Sequence, residues 1–145
     1  MNSVPLQTFH IYVSNALSFE KDKRIQSATF LSSYKSQNPN GFAQTIMEYL
    51  QSTESYISVN DKCFLCTQFR NAIDETSFSQ SILPKLSDQT ITSTIQTFVT
   101  LFLQSSVPTQ LFFAISHCIG KLGSRILSLS LSKTLIVFST VPSFS

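Results

Sequence analysis

The chain has 145 residues, 42% of them hydrophobic and 12% charged, with a net charge of +2, and this is the size and polarity of one folded domain. Three Gly, five Pro and three Cys exclude a collagen-like chain, a Pro/Gly linker and a disulfide-stapled secreted module, and the odd thiol count suits a reducing compartment. Ten basic against eight acidic residues is too even a balance to indicate a nucleic-acid partner. Ser and Thr supply roughly a quarter of the residues, so much of the surface is hydroxyl. Every acidic residue except Asp88 lies between Glu20 and Glu75, and Lys85, Lys121, Arg125 and Lys133 leave the remainder basic. The N-terminus has neither the basic region nor the apolar core of a secretory signal. The most apolar window, Leu111 to Val137, is interrupted by His117, Lys121, Arg125 and Lys133, which argues against a membrane span.

The first predicted helix opens at Pro5 and carries Leu6, Phe9, Val13 and Leu17 at spacings of three and four. Ser18 is the expected cap of a second helix, with Glu20 and Asp22 in its first turn and Ile25, Ala28, Leu31 and Tyr34 on its apolar side. Residues Ser36 to Gly41 read as a turn in which Gly41 supplies a positive φ. A third helix is expected from Phe42 to Gln51, buried through Phe42, Ile46, Tyr49 and Leu50. After a Ser/Thr-rich loop, Ser58 or Asn60 caps a fourth that carries Leu65, Cys66, Phe69, Ala72 and Ile73 and runs to the acidic pair Asp74 and Glu75. Another loop follows, and Pro84 breaks the chain. Ser87 caps a long fifth helix with Ile91, Ile95, Phe98, Val99 and Phe102 as its core stripe. The sixth starts at Thr109, places Leu111, Phe112, Ile115, Cys118, Ile119 and Leu122 inward, and is weakened by Gly120 and Gly123. From Ile126 the sequence alternates with period two, as a strand does, and the pattern leaves open a short strand, a helix or an end produced by truncation.

The helices pair with starts near Leu6, Phe42 and Ile82, a pitch of about 35 to 45 residues, the spacing of HEAT or armadillo repeats. The expected fold is all-α, a right-handed α-solenoid of about three HEAT-like antiparallel pairs over residues 1–127, followed by an irregular or alternating tail over 128–145. A compact helical bundle is the competing arrangement.

Three stretches carry a resemblance to a known family. Arg24 to Leu31 is similar to an Arg-x-x-Ala-x-x-x-Leu helix, with Ser27 in place of the Ala. Asn38 to Phe42 and on to Leu50 match an Asn-Pro turn followed by Phe and an amphipathic helix. Lys62 to Ile73 reads as a basic residue, small apolar residues and then a variant of Leu-Lys-Asn-x-Ile. Pro84 to Ser87 and Ala114 to Leu122 extend the match, so that residues 5 to 127 resemble the N-terminal region of the importin-β (karyopherin-β) nuclear transport receptors. The resemblance implies a protein found in cytoplasm and nucleus that binds the GTP form of the small GTPase Ran on the inner face of its early repeats and contributes to carrying protein cargo. Arg24, Lys62 and Arg70 are the expected partner-binding residues, and Lys62 and Arg70, about 80° apart on an ideal helix, could share a polar face. Family members are several times longer, so the chain is expected to be a fragment or a truncated paralogue. The other reading is a helical-repeat scaffold or adaptor with no transport role.

No enzymatic chemistry is expected. Cys63-x-x-Cys66 lacks two further ligands at zinc spacing, since Cys118, His117 and His10 form no second pair, and the thiols read as buried structural residues. His10 and His117 have no neighbouring carboxylate and read as histidines packed between helices. Three glycines cannot build a phosphate loop, so no cofactor is implied. Most of the 13 Phe and 4 Tyr fall on core stripes.

Overall fold

The computed structural model describes residues 3–74 and 81–140. Among the described residues there are six helices, α1 (Leu6–Ala16), α2 (Lys21–Gln37), α3 (Pro39–Gln51), α4 (Val59–Ile73), α5 (Asp88–Leu103) and α6 (Thr109–Thr140), and one 3-10 turn at Leu83–Lys85. Among the described residues the protein is all-α and contains no strand. Glu75 and most of the loop expected before Ile82 lie outside the described residues, as do residues 141–145 of the tail.

Local chemistry sets the boundaries. Pro5 sits just before α1 and accepts the Phe9 N–H at 2.9 Å. Asn38 is the true start of α3: its side chain accepts from the Gly41 N–H at 2.9 Å and Pro39 occupies the first turn, so the expected turn is already helix. Gly41 consequently has no positive φ; glycine is needed because a Cβ there would overlap the Asn38 side chain. Ser58 and Asp61 form a reciprocal capping box at α4, and the Ser87 side chain accepts from the Thr90 N–H at the start of α5. Ser18 does not cap α2. Its hydroxyl accepts from the Glu20 N–H at 3.1 Å, which turns the chain before the helix begins at Lys21.

One core runs through all six helices, with Phe9, Tyr34, Tyr49, Phe69 and Phe98 each fully buried. The Tyr34 ring meets Phe9 and Phe42 edge-on, and its hydroxyl reaches Thr45 Oγ1 at 2.7 Å. Two inward stripes differ from those expected. On α2 the buried residues are Ser27, Leu31 and Tyr34, while Ile25 and Ala28 are exposed. Ser27 faces inward because its hydroxyl donates to the Tyr12 carbonyl at 2.6 Å, letting α2 approach α1 closely. On α5 the inward stripe is Thr90, Thr94, Thr97, Phe98 and Leu101; Ile95, Val99 and Phe102 are at least 39% exposed. The short threonines bring α5 against α3 and leave the larger aliphatic residues on the outer side.

The second and third hairpins sit side by side in a constant register. Asn60 with Gln110, Arg70 with His117, Cys66 with Cys118 and Asp74 with Arg125 join α4 to α6 at separations of 47 to 52 residues. Asn40 with Ser87 and Gln44 with Thr90 join α3 to α5 at separations of 47 and 46. Both pairs of neighbours therefore run parallel. The first hairpin departs from this pattern: α1 packs on α3 and α4, while α2 packs on α1 and α3 and faces α4 across a groove.

Of the alternatives open for the tail, the helix is the one found up to Thr140, where the segment continues α6 over a total of 32 residues. No proline interrupts it between Pro108 and Pro142, and extending an existing helix adds a hydrogen bond per residue without a new nucleation cost. Gly120 and Gly123 do not break it, and a Cβ at either would meet nothing within 4 Å. Among the described residues, no helix is long and apolar enough to cross a membrane.

Candidate protein-binding surface

The three expected partner-binding cations occupy three separate environments. Arg24, exposed on the first turn of α2, donates through Nη1 to the carbonyls of Ser18 at 3.0 Å and Phe19 at 2.8 Å, fixing the α1–α2 corner. The Phe19 side chain beside it is fully exposed. Lys62, in the first turn of α4, donates to the Ser52 carbonyl at 2.9 Å, and its partial burial lowers its pKa. It borders a hollow of about 390 Å³ lined also by Gln51, Thr100, Gln104 and Leu111. Arg70 lies a turn from the other end of α4 and reaches His117 Nδ1 on α6 at 3.5 Å, an arrangement in which the imidazole nitrogen accepts. Lys62 and Arg70 have different polar partners, the first on the α3–α4 connection and the second on α6. His117 is exposed on α6 and is not packed between helices.

His10, by contrast, is held. Its Nδ1 is 2.6 Å from the Tyr49 hydroxyl and its Nε2 is 3.2 Å from Ser14 Oγ, with the Tyr49 ring stacked beside it. Burial, with Asp61 and Tyr56 adding to it, pushes the Tyr49 phenol above its ordinary pKa, so the hydroxyl keeps its proton beside the imidazole. Cys66 and Cys118 are buried and Cys63 is half-buried. The Cys118 thiol lies 3.1 Å from the Cys66 carbonyl. Its interaction with the Cys66 thiol, together with burial, raises the pKa of Cys66, which suits a packed thiol and opposes a thiolate nucleophile. Among the described residues no three His, Cys, Asp or Glu side chains gather as metal ligands would.

No family model matches the chain, and no curated protein or solved structure matches it.

Two arrangements were missed by the sequence reading. The first is a groove of about 360 Å³ between α2 and α4, floored by Leu31, Phe42 and Ala72 and bordered by Arg24, Lys35 and Gln68. The second closes the opposite side of α4. Asp74, at the C-terminal end of the helix, accepts from Arg125 Nε at 3.0 Å and from Arg125 Nη2, and Lys121 Nζ lies 3.4 Å away. The hydrogen bond from Arg125, aided by Lys121, holds the Asp74 carboxyl below its usual pKa. A signal for this cluster was available, because an acid at a helix C-terminus opposes the helix dipole and needs a compensating partner.

Proposed function

We propose that the chain acts by binding other proteins, as a helical-repeat segment of the importin-β type that engages Ran in its GTP form and contributes to cargo carriage between cytoplasm and nucleus. Catalysis and cofactors have no part in this reading. What supports it is the register between hairpins: α5 and α6 lie parallel to α3 and α4 at separations of 46 to 52 residues, as consecutive units of an α-solenoid do. In such an array each interface can flex slightly, and the binding of a GTPase at one end changes the affinity for cargo elsewhere through the summed bend. The motif order from Arg24 to Leu122 is the reason for naming transport among the functions helical repeats serve.

A helical scaffold or adaptor with no transport role is the second reading, and the dispersal of Arg24, Lys62 and Arg70 over separate environments favours it. A pull-down of the purified chain with GTP- and GDP-loaded Ran separates the two. Retention of the GTP form alone supports the transport reading; equal retention of both forms, or of neither, leaves the scaffold.

A further inference from the structure

Outside the inward stripe of α5, Ile95, Val99 and Phe102 follow one another at spacings of four and three, so they form one apolar ridge along the helix, and all three are exposed. Beside this ridge a groove of about 140 Å³ runs between α5 and α6, with the buried Phe98 and Leu122 as its floor and Ile119 and Ile126 on its α6 wall. Every described residue lining the groove belongs to α5 or α6, so it opens on the side of the third hairpin away from the second, and none of these residues is charged. From Gln89 to Gly120 the chain has no Asp, Glu, Lys or Arg, and the two cations that follow on α6, Lys121 and Arg125, are paired with Asp74 at the end of α4. At the C-terminal end of the ridge Phe102 stacks on Phe112, ring centroids 4.8 Å apart, so the exposed ring is held in place.

We propose that two copies of the chain meet at this face, as an isologous dimer in which the Ile95, Val99 and Phe102 ridge of each copy lies in the α5–α6 groove of the other. Charge selects a second copy as the occupant. Identical surfaces placed face to face bring like charges together, which costs several kcal/mol where the surface is charged, and this one carries no charge along the ridge or in the groove, so it neither repels itself nor attracts a partner of one sign. Asp88 precedes the ridge by seven residues, and antiparallel pairing of the two α5 helices puts its two copies at opposite ends of the contact. A ridge beside a groove on the same helix pair is self-complementary under a two-fold axis, because each copy supplies what the other receives. The contact also continues packing already present in the chain: α5 lies on α3 and α6 on α4, and the second copy takes the next position on the outer side. The stacked Phe102 ring adds an aromatic anchor that loses little freedom on association. This dimer requires neither the transport nor the scaffold reading.

Sedimentation equilibrium of the intact chain from about 1 to 300 µM, the range in which modest apolar interfaces assemble, is expected to fit a single monomer–dimer equilibrium of the 16.2 kDa chain. Val99→Lys and, independently, Ile95→Lys place like charges in the two-fold contact and should each weaken dimerisation at least tenfold. Both residues are exposed in the single chain, so neither change enters the core, and circular dichroism establishes that each variant is folded. Ile11→Lys, at an exposed position on α1 outside the proposed contact, should leave the dissociation constant unchanged. A monomer over the whole range, oligomers that grow past the dimer, or a dimer that neither ridge variant weakens overturns the proposal. So does a dimer that Ile11→Lys weakens as much as Val99→Lys, since the copies would then meet elsewhere.

Discussion

Thr94 gives the sharpest test of how α5 packs. It is 1% exposed on the stripe that faces α3, and its Oγ1 has no hydrogen-bond partner among the described residues. Replacing the hydroxyl by the methyl of valine keeps the shape and removes a buried polar group. An unpaired buried hydroxyl costs about 1–3 kcal/mol, and Thr and Val have nearly equal helix propensities, so Thr94→Val should stabilise the fold by about 1–2 kcal/mol. Thr90, four residues earlier on the same stripe, is the control. Its Oγ1 accepts from Gln44 Nε2 at 3.2 Å and lies 2.9 Å from Ser87 Oγ. Thr90→Val therefore loses two partnered contacts and should destabilise by about 1 kcal/mol, since the exposed Gln44 can turn to water. Urea unfolding followed by circular dichroism, at unchanged m-values, measures both, and in a chain of this length about 1 kcal/mol corresponds to a shift of about 2–4 °C in Tm. A Thr94→Val protein no more stable than the parent, or valine variants that shift in the same direction, would refute this account of the α3–α5 interface.

Glycine substitutions should separate by position. Gly120→Ala and Gly123→Ala each place a methyl in open space on α6 and should raise stability by about 0.4–1 kcal/mol in the same unfolding experiment. Gly41→Ala drives a methyl into the Asn38 cap and should cost about 0.5–2 kcal/mol, with Asn38→Ala matching it if the cap is the cause. Asp74→Asn should lower the Tm at neutral pH. Because folding depresses the Asp74 pKa, the carboxylate's contribution is complete above the ordinary Asp value of about 3.9 and is lost as pH falls through the folded value, so the gap between parent and variant should close in acid when Tm is followed against pH. A gap that persists unchanged at the acid end removes the charge as its origin.

The helices were legible because their ends are set by short-range chemistry. Ser58 and Ser87 cap where the spacing places them, and Pro5, Pro39 and Pro108 stand at helix starts where a missing N–H does no harm. The stripes were harder to read on α2 and α5, because hydrophobicity alone points Ile25, Ile95 and Val99 inward. What decides the rotation of each helix is how near two backbones can come, and there Ser27 and the threonines of α5 do better than larger residues: a small side chain lets the helices approach, with the Ser27 hydroxyl satisfied by the Tyr12 carbonyl and that of Thr90 by Ser87 and Gln44. The period-two pattern after Ile126 left strand and helix both open: alternating Leu and Ser is strand-like on a free segment, but here it continues a helix that already exists.

The candidate site was legible only as single residues. Arg24 could be singled out on α2, but its groove requires α4 to stand opposite, and these helices are separated in sequence by the whole of α3. The same geometry divides the other two cations. Eight residues along α4 and about 80° around it take Lys62 to the Ser52 carbonyl at one end of the helix and Arg70 to His117 near the other. Helical spacing identifies which residues share an azimuth. Which neighbour receives them depends on the stacking of the hairpins, and that stacking determines that Arg24, rather than Lys62 or Arg70, borders the groove between α2 and α4.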